Sequence, residues 1–362
     1  MENNINKPQD LKIPVSTTIR TAMRQLDKTA EKCLFVVDEQ ETLIGTITDG
    51  DVRRAILKGH GLDETIDGMF NKYPVAIRMT TLSSRDNQVN EEATRLMKKH
   101  RVEVVPVLND EGRILRYITW TDLFGDGHRN EESPLTVPVV IMAGGYGTRL
   151  EPFTKVLPKP LIPVHDKPII EHIIDRFVEA GANQFWLTVN YKSRIMKAYF
   201  EDRDPDYKIY FVDEPEPMGT AGSLQFMRGK VDQPFFVTNC DIIINADYRR
   251  MIDFHRDQGH AITLVGSAIN YQIPYGTCVL NESGSLARID EKPQYDFLVN
   301  TGMYVVSPAV LDLIPATGVF HMTHLIEAAL ASGHTVGVFP VSEDAWIDVG
   351  QWKEYKRAED RL

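Results

Sequence analysis

The first 125 residues of this 362-residue chain form an internal repeat, and a repeat restricts the possible folds more than any single motif does. Residues 22–51 align with residues 93–122 without a gap. Each copy contains a helical pattern, an apolar strand, an acidic turn, a second strand and another helix. The repeat predicts two copies of one α+β unit, at residues 1–65 and 66–126. The matching residues are Ala22 and Ala93, Leu26 and Met97, Val37 and Leu108, Leu43 and Ile114, Thr48 and Thr119, and Asp51 and Asp122.

Two equivalent segments of the repeat, GTITDGD ending at Asp51 and RYITWTD ending at Asp122, point to a family. They resemble those of a tandem cystathionine-β-synthase (CBS) pair, and the resemblance covers roughly residues 8–125. It implies that Thr48, Asp51, Thr119 and Asp122 bind the phosphate and ribose of AMP or ATP. Helix capping by the same threonines and acids is an equally good interpretation. The second copy departs from the family pattern because Arg116 stands where the first copy has Gly45.

Composition excludes several functional classes. The formal net charge of -11 argues against non-specific binding of a nucleic-acid backbone. The three cysteines, Cys33, Cys240 and Cys278, are too widely spaced for a disulfide framework or a cysteine-rich zinc site. No apolar run approaches the ~20 residues that span a bilayer, and the N-terminal sequence MENNINKPQD lacks the pattern of a signal peptide. We therefore expect a cytoplasmic protein that contacts neither membrane nor nucleic acid.

The character of the chain changes after a polar segment at residues 127–136, which we predict to be a linker. From residue 137 to residue 362, short apolar strands alternate with amphipathic helices. Such alternation predicts a Rossmann-like α/β domain with a mixed, largely parallel sheet. The predicted elements are strands at Val137–Ala143, Gln184–Val189, Phe235–Thr238, Ile262–Gly266 and Thr301–Val306, a helix at Ile169–Glu179 stopped by Gly181, and a final helix within residues 351–358.

A glycine-rich turn, AGGYGTRL, directly follows the first of these strands. Glycines let backbone amides approach an anion closely, and Arg149 adds a forked cation. A Walker A loop would require Gly-Lys-Ser/Thr, which the turn lacks. A dinucleotide fingerprint would require glycine where Leu150 stands. A phosphate-binding turn of another class and a purely structural turn both remain open on these residues alone.

The longer segment at residues 143–170, AGGYGTRLEPFTKVLPKPLIPVHDKPII, settles the resemblance. It closely resembles the signature of the sugar-1-phosphate nucleotidyltransferases, which have a glycosyltransferase-A-like fold, and the likeness continues over residues 137–362. The resemblance implies that Arg149 and Lys159 are catalytic cations beside the triphosphate. It also implies a second nucleotide-binding segment, EPEPMGTAGSL, in which we expect Thr220 to cap a helix. The implied nucleotide-binding residues are Ala143, Gly144, Gly145, Gly147, Thr148, Gly219, Thr220 and Ala221.

Two aspartates are candidate ligands for Mg²⁺. Asp241 follows the apolar strand Phe235–Thr238, so it lies at the carboxyl edge of the predicted sheet. Magnesium is bound by one or two carboxylates together with phosphate and water. The family resemblance assigns Asp241 and Asp348 as this pair, with Asp241 also counted as catalytic. Taken singly, each aspartate is as consistent with a surface cap.

The segments YG, EKP and NTG correspond to the sugar-phosphate part of the family site. They implicate Gly276, Glu291, Lys292 and Asn300, with Lys292 also catalytic; a Lys-Pro turn and a strand start are the plain structural interpretation. The implied reaction needs no protein nucleophile, since an oxygen of the sugar 1-phosphate attacks the α-phosphorus of a nucleoside triphosphate and displaces pyrophosphate.

CBS pairs fused ahead of such domains resemble bacterial enzymes that make GDP-sugars, notably the glucosamine-1-phosphate guanylyltransferases of legionaminic acid synthesis. We therefore expect GTP, with glucosamine 1-phosphate or mannose 1-phosphate, and a homodimer. UTP or dTTP with glucose 1-phosphate, and a non-catalytic sensor of adenine nucleotides, are the alternatives. We interpret Cys240 as a packing residue, and His321 and His324 as surface or core residues.

Overall fold

A computed structural model describes residues 8–29, 33–79, 86–100, 102–119, 122–123, 135–201, 203 and 205–359. These residues form two compact units. The first unit is Met1–Glu132 with Asn270–Asp296, and the second is Ser133–Ile269 with Phe297–Leu362. In the described ranges, every helix is too short or too polar to cross a bilayer.

The strands, in chain order, are β1 Lys12–Pro14, β2 Cys33–Val37, β3 Leu43–Thr48, β4 Ile77–Arg78, β5 Val104–Leu108, β6 Ile114–Thr119, β7 Val139–Met142, β8 Pro163–Val164, β9 Lys167–Pro168, β10 Gln184–Val189, β11 Lys208–Asp213, β12 Phe235–Asn239, β13 Ile242–Ile244, β14 Ile262–Gln272, β15 Thr277–Leu280, β16 Leu286–Asp290, β17 Gln294–Val306, β18 Val336–Ser342 and β19 Trp346–Asp348. The α-helices are α1 Ile19–Thr29, α2 Asp49–Leu57, α3 Asp86–His100, α4 Ile169–Glu179, α5 Ser193–Glu201, α6 Gly219–Gly222, α7 Tyr248–Asp257, α8 Met322–Ala331 and α9 Trp352–Glu359.

The first unit contains the two repeats as two three-stranded sheets, β1-β2-β3 and β4-β5-β6. In each sheet the first strand is parallel to the middle strand and the last is antiparallel to it. Both middle strands carry a bulge at the same place, between Val36 and Val37 and between Val107 and Leu108. Ala22 and Ala93 are fully buried. The structure therefore agrees with the α+β repeat predicted from the sequence.

The two repeats differ where Gly45 is replaced by Arg116. A side chain at Gly45 could not be accommodated, because an ideal Cβ would lie 2.3 Å from Cδ2 of Phe70 and 2.6 Å from the carbonyl oxygen of Asn71. Asn71 in turn exchanges backbone hydrogen bonds with Thr46. Glycine at position 45 thus lets the segment that contains Phe70 and Asn71 pack against β3.

The second unit is built on a seven-stranded sheet with the order β11-β10-β7-β12-β17-β14-β18. Strands β11, β10, β7 and β12 pair in parallel, as do β14 and β18, whereas β17 is antiparallel to β12. The prediction of a mixed, largely parallel sheet is confirmed. Both faces are covered by apolar residues, since Val139 and Ile141 belong to one core cluster and Val140 and Met142 to the other.

Several element bounds match the sequence prediction, and two strands do not. Helix α4 ends before Gly181, whose φ of 98° only glycine adopts readily. Strands β14 and β17 extend well beyond the predicted Ile262–Gly266 and Thr301–Val306. The added residues of β17 are largely exposed, whereas those of β14 change from buried at Ser267 and Ala268 to exposed at Tyr271 and Gln272. Strands β15 and β16 form a hairpin between them.

The unit boundary differs from the predicted domain limits in two respects. The segment Asn270–Asp296 groups with the first unit, where Asp296 accepts hydrogen bonds from Arg20 and from the backbone of Leu62. Most of the predicted linker lies outside the described residues. Leu135, its penultimate residue, is buried in the core of the second unit.

Candidate active site

The glycine turn joins β7 to a 3-10 helix at Thr148–Leu150. The backbone N–H of Ala143 donates to the carbonyl of Thr188, and Leu150 is fully buried, so both ends of the turn are fixed. Gly147 has a φ of 69°, and an ideal Cβ on it would lie 2.9 Å from Cβ of Lys159. Glycine is required here by both conformation and space. The turn therefore packs directly on the backbone that carries Lys159.

Lys159 begins a 3-10 helix between Pro158 and Pro160. Only 9% of the residue is exposed, and its Nζ donates a hydrogen bond to Oδ2 of Asp241. A nearly buried ammonium needs such a partner, because desolvation of an unpaired charge is costly. The two prolines restrict the backbone, which limits where this ammonium group can lie.

Asp241 and Asp348 are brought together by the pairing of β13 with β19, in which Ile242 lies opposite Asp348. The N–H of Val349 donates to the carbonyl of Asp241 at 2.9 Å. An ideal Cβ on Gly350 would lie 2.5 Å from Oδ2 of Asp241 and 2.9 Å from Oδ1 of Asp348. The two carboxylates therefore both lie beside Gly350.

The electrostatics of Asp348 fit a cation site. Burial, together with the neighbouring carboxylate of Asp241, raises the pKa of Asp348, and the positive charges of Lys159 and Arg149 oppose this shift. Asp348 Oδ1 also accepts a hydrogen bond from the N–H of Gly350. Two close carboxylates of like charge are stabilised by a shared cation.

The donor set suits magnesium. In the described part of the chain, no group of three or more His, Cys, Asp or Glu side chains is placed to hold a metal ion. Two oxygen donors that leave room for phosphate and water are what Mg²⁺ favours. The neighbouring Cys240 is buried, which raises the pKa of its thiol to about 12. This burial agrees with a packing role for Cys240.

The segment EPEPMGTAGSL, predicted to bind nucleotide, contains a carboxylate that the sequence analysis did not single out. Glu214 follows β11 and is 8% exposed. An ideal Cβ on Gly144 would lie 2.7 Å from its Oε1, so the glycine turn lies directly against this carboxylate. Burial raises the pKa of Glu214, and hydrogen bonds from Thr188, Met218 and Ser223 oppose that shift. The sequence signal that could have identified Glu214 is an acidic residue directly after a strand.

Thr220 was expected to cap the helix that the segment opens, and this expectation is wrong. The residue before α6 is Met218, which makes no side-chain cap, and Thr220 lies inside the helix. The Oγ1 of Thr220 instead accepts from the N–H of Met322 at 3.0 Å, at the start of α8. His321 and His324 are both exposed, and His321 is the N-cap of α8. Sequence spacing could not reveal this contact across 102 positions.

The sugar-phosphate candidates Gly276, Glu291 and Lys292 flank the open end of the β15–β16 hairpin in the first unit, directly before β15 and directly after β16. An ideal Cβ on Gly276 would lie 2.8 Å from Oε2 of Glu291, so glycine admits this carboxylate. Lys292 has a φ of 47°, which is unusual for a residue with a side chain, and most unusual before proline. Such conformations cluster at functional sites.

Asn300 lies on β17 in the second unit. Its side chain donates to the hydroxyl of Tyr304 at 2.8 Å and accepts from the N–H of Gly302 at 3.0 Å. An ideal Cβ on Gly302, which has a φ of 90°, would lie 2.5 Å from Nδ2 of Asn239. Asn300 is thus held in one orientation while it stays exposed.

The CBS candidates form helix caps. Thr48 and Asp51 make a full capping box at the start of α2, and Thr119 and Asp122 exchange the equivalent bonds at 2.8 and 3.1 Å. The capping interpretation is therefore satisfied in both repeats. Nucleotide binding by these residues stays a prediction.

Two family models match the chain. Residues 138–362 match the nucleotidyl transferase family model, and residues 4–58 and 89–126 match the CBS domain model. Since the first match covers more than half of the sequence, the chain belongs to the nucleotidyl transferase family.

Individual relatives match about 60% of the chain. The mannose-1-phosphate guanylyltransferase catalytic subunit beta of Xenopus tropicalis is 34% identical over 224 residues, which are 60% of this chain and 62% of that protein. The mannose-1-phosphate guanyltransferase of Candida albicans is 36% identical over 228 residues, again 60% of this chain and 62% of the relative. The chain thus spans less than two thirds of the length of these relatives. The crystal structure of HddC from Yersinia pseudotuberculosis matches at 24% identity and a TM-score of 0.49, covering 62% of this chain and 99% of that one.

Proposed function

We propose that this protein is a magnesium-dependent sugar-1-phosphate nucleotidyltransferase, which transfers a nucleoside monophosphate from a triphosphate to a sugar 1-phosphate and releases pyrophosphate. The observation that carries the proposal is the convergence of Asp241, Asp348 and Lys159 around Gly350. The same Lys159 packs against the glycine turn through Gly147. Two carboxylates, a buried ammonium and a phosphate-binding turn are the parts that phosphoryl transfer requires.

The protein's own residues mainly position the substrates and neutralise charge. The amides of the turn, at Gly144, Gly145 and Gly147, bind the triphosphate, and Arg149 and Lys159 oppose the charge that develops on the α-phosphoryl group and on pyrophosphate. Lys292 binds the phosphate of the sugar. That phosphate is already ionised at neutral pH, so no general base is needed and the attack is in line.

Asp241 and Asp348 would hold the magnesium ion. When bound, Mg²⁺ supplies charge neutralisation and orientation of the phosphate oxygens. The ammonium of Lys159 also contacts Asp241.

We propose GTP as the nucleotide, with mannose 1-phosphate or glucosamine 1-phosphate as the sugar. Support comes from relatives named as mannose-1-phosphate guanylyltransferases at 34–36% identity. UTP or dTTP with glucose 1-phosphate is the alternative. A pyrophosphate-release assay of the four triphosphates against mannose, glucosamine, N-acetylglucosamine and glucose 1-phosphates tests both choices.

The same assay tests the reaction class. Asp348→Asn is expected to lower pyrophosphate release by about 10²-fold or more, because it removes one of the two carboxylates proposed to hold the magnesium ion, whose charge would neutralise the reacting phosphates. Glu343→Gln, an exposed neighbour, is the matched control and should behave as the unmodified protein. Undiminished turnover in a variant that replaces both Asp241 and Asp348 by Asn would refute the proposal.

We further propose that AMP or ATP binds the CBS pair and adjusts the activity. Support comes from the CBS match and from Thr48, whose hydroxyl lies at a helix N-terminus that favours phosphate. Thermal shifts of the full chain with AMP, ATP and GTP provide the test. The double variant Thr48→Ala and Thr119→Ala should lose the adenine-nucleotide shift and keep the GTP shift.

A further inference from the structure

Lys192, which follows β10 and which the sequence analysis did not single out, lies beside the loop that packs on the glycine turn. Its Nζ donates a hydrogen bond to the carbonyl of Thr154 at 3.0 Å. Thr154 is 2% exposed, and its Cγ2 would lie 2.8 Å from an ideal Cβ on Gly147. A single buried residue therefore connects the ammonium group of Lys192 to the glycine turn.

Two tyrosines form a second connection between Lys192 and the turn. The Nζ of Lys192 lies 5.1 Å from the centroid of the Tyr191 ring, which is within the range of a cation–π contact. The ring centroid of Tyr191 in turn lies 5.1 Å from that of Tyr146, a residue of the turn AGGYGTRL. Because Tyr146 is 53% exposed, a ligand can reach this side of the turn from solvent.

The backbone of Lys192 is in an unusual place for a lysine. Its φ is 55°, in the left-handed region that residues with a side chain seldom adopt. Its carbonyl accepts from the N–H of Ile195 at 3.0 Å, so Lys192 stands at the N-terminus of the nine-residue helix α5. The helix dipole disfavours a cation there and favours an anion. Backbone conformations that are unfavourable on local grounds cluster at functional sites.

Lys192 also differs from comparable lysines in its ion pairing. Among the lysines that the structure describes, those that are buried or half-buried are Lys12, Lys159, Lys192 and Lys197. All except Lys192 form an ion pair with a carboxylate of the described residues. The contacts of the Lys192 ammonium group are instead an uncharged carbonyl and an aromatic ring. A partly desolvated charge is stabilised by an opposite charge, which a bound anion would supply.

We propose that Lys192 is a binding residue for the triphosphate, whose ammonium group neutralises the two phosphates that leave as pyrophosphate. This inference rests on the proposed function, because it uses the assignment of the glycine turn to the triphosphate. Lys159 donates to Asp241 of the proposed metal pair, so its ammonium group lies where the α-phosphoryl group would react. Lys192 lies on the Tyr146 side of the turn, which suits the β- and γ-phosphates. A cation at that position favours the departure of pyrophosphate.

Two substitutions separate the charge of Lys192 from its hydrogen bond. Lys192→Gln removes the positive charge and keeps an N–H donor for the carbonyl of Thr154, whereas Lys192→Met removes both. Lys197→Met is the matched control, since Lys197 lies on α5 and pairs with Asp213. Formation of the nucleotide sugar by the full chain is followed at low and high salt, with the substrate pair that the pyrophosphate-release assay selects. The measured quantities are the KM for each substrate and the inhibition constant of added pyrophosphate.

Lys192→Gln should raise both the KM for the triphosphate and the inhibition constant of pyrophosphate about tenfold or more, the effect of losing a hydrogen bond to a charged group. The KM for the sugar 1-phosphate should not change, and Lys197→Met should resemble the unmodified protein. The difference should shrink at high salt, because salt screens the interaction of charges that are open to solvent. Unchanged triphosphate KM and pyrophosphate inhibition in Lys192→Gln would overturn the inference. Impairment of Lys192→Met alone would overturn it as well, since only the bond to Thr154 would then matter.

Failure of the proposed function would look different. If no triphosphate supports formation of a nucleotide sugar, the proposed reaction is wrong. The unmodified protein, Lys192→Gln and Lys197→Met are then compared by direct binding of GTP, UTP, dTTP and ATP in the presence of Mg²⁺. Binding that is weakened by Lys192→Gln alone supports the role of Lys192. Binding that is equal in all three proteins, or absent in all three, refutes it.

Discussion

Nζ of Lys159 donates a hydrogen bond to Oδ2 of Asp241, across 82 positions of sequence. Both residues are buried, at 9% and 5% exposure. A buried pair of this kind contributes little net stability, yet removal of one partner leaves the other charge uncompensated. We therefore expect Lys159 and Asp241 to affect both the stability of the second unit and its proposed activity.

Replacement of one partner should be costly. We expect Lys159→Met to lower the free energy of unfolding by about 3–5 kcal/mol in the presence of EDTA, because Asp241 then lacks a counter-charge. The kcat/KM should fall about 10²–10³-fold, as for loss of one group that stabilises transition-state charge. Denaturant unfolding and pyrophosphate release measure the two effects.

Lys155→Met is the matched control, since Lys155 is 68% exposed and its ion pair with Glu151 spans 3.4 Å. A surface pair contributes about 0–1 kcal/mol, so this variant should be nearly neutral. Addition of Asp241→Asn to Lys159→Met should recover part of the lost stability and none of the activity. Equal stability of Lys159→Met and Lys155→Met would contradict the account.

The adjacent residues Gly144 and Gly145 of the glycine turn should respond differently to substitution by alanine. Gly144→Ala places a Cβ 2.7 Å from Oε1 of Glu214, whereas no heavy atom lies within 4 Å of a Cβ at Gly145. Because Glu214 is held by its own hydrogen bonds, it cannot move freely. We expect Gly144→Ala to cost about 1–3 kcal/mol of stability, as overpacking does.

Gly145→Ala supplies the comparison, and thermal unfolding is the measurement. Its Tm should stay close to that of the unmodified protein, because its exposed position offers room. Activity is not the criterion here, since both glycines are proposed to bind the triphosphate. Equal Tm values for the two variants would show that Glu214 yields to the added methyl group.

The buried His255 should make the second unit sensitive to acid. Burial, with smaller effects from His260 and Arg256, lowers its pKa from 6.5 to about 4. Its ring nitrogens bond to Thr263 and Ser307 at 2.9 and 2.8 Å. Because the folded pKa is depressed, the unfolded chain binds the proton more tightly, so stability is full above pH 6.5 and falls as the pH drops toward 4.

The linked loss is roughly 3 kcal/mol between those limits. Urea unfolding at pH 7.5, 6 and 5 should show a steeper decline for the unmodified protein than for His255→Gln, which cannot take up the proton. His334→Gln, in the same unit, should keep the original slope. A slope that His255→Gln leaves unchanged would exclude His255 as the cause.

The sequence predicted those elements whose signals are local. The apolar strand predicted in each copy of the repeat is present as β2 and β5, because each apolar run is followed by an acidic turn and occurs in both copies. Helix α4 was predicted equally well, because Pro168 precedes it and Gly181 follows it. The exposed parts of β14 and β17 lack an apolar pattern, so they escaped prediction.

The site residues also include some that were named from the sequence and some that were not. Lys159, Asp241 and Asp348 were named through a family resemblance, since no rule of spacing brings residues so far apart in sequence to one glycine. Glu214 was missed, because its significance lies in its contact with Gly144. Thr220 was expected to cap its own helix, but its hydroxyl accepts a hydrogen bond from the N–H of Met322, 102 positions away. Local patterns therefore identified the elements, whereas tertiary contacts define the site.

The β15–β16 hairpin, which is followed by Lys292, is attached within the first unit. Arg20 Nη2 donates to Oδ1 of Asp296 at 2.7 Å, and the N–H of Leu62 donates to Oδ2 at 2.9 Å. Asn270 donates to the same carboxylate at 3.0 Å. The CBS repeat thus binds Asp296, and the same carboxylate binds Asn270 at the other end of the segment.

Loss of this attachment should affect one substrate. We expect Arg20→Met to raise the KM for the sugar 1-phosphate about threefold to tenfold, since a charge-assisted hydrogen bond is lost at the base of the hairpin, and to leave the KM for the triphosphate unchanged. Arg113→Met, which removes a surface pair with Glu111 at 3.5 Å in the same unit, should change neither constant. Steady-state kinetics with each substrate varied in turn decides the matter. A parallel rise in both KM values for Arg20→Met would mean that the substitution disturbs the fold as a whole, and that Asp296 does not selectively anchor the hairpin.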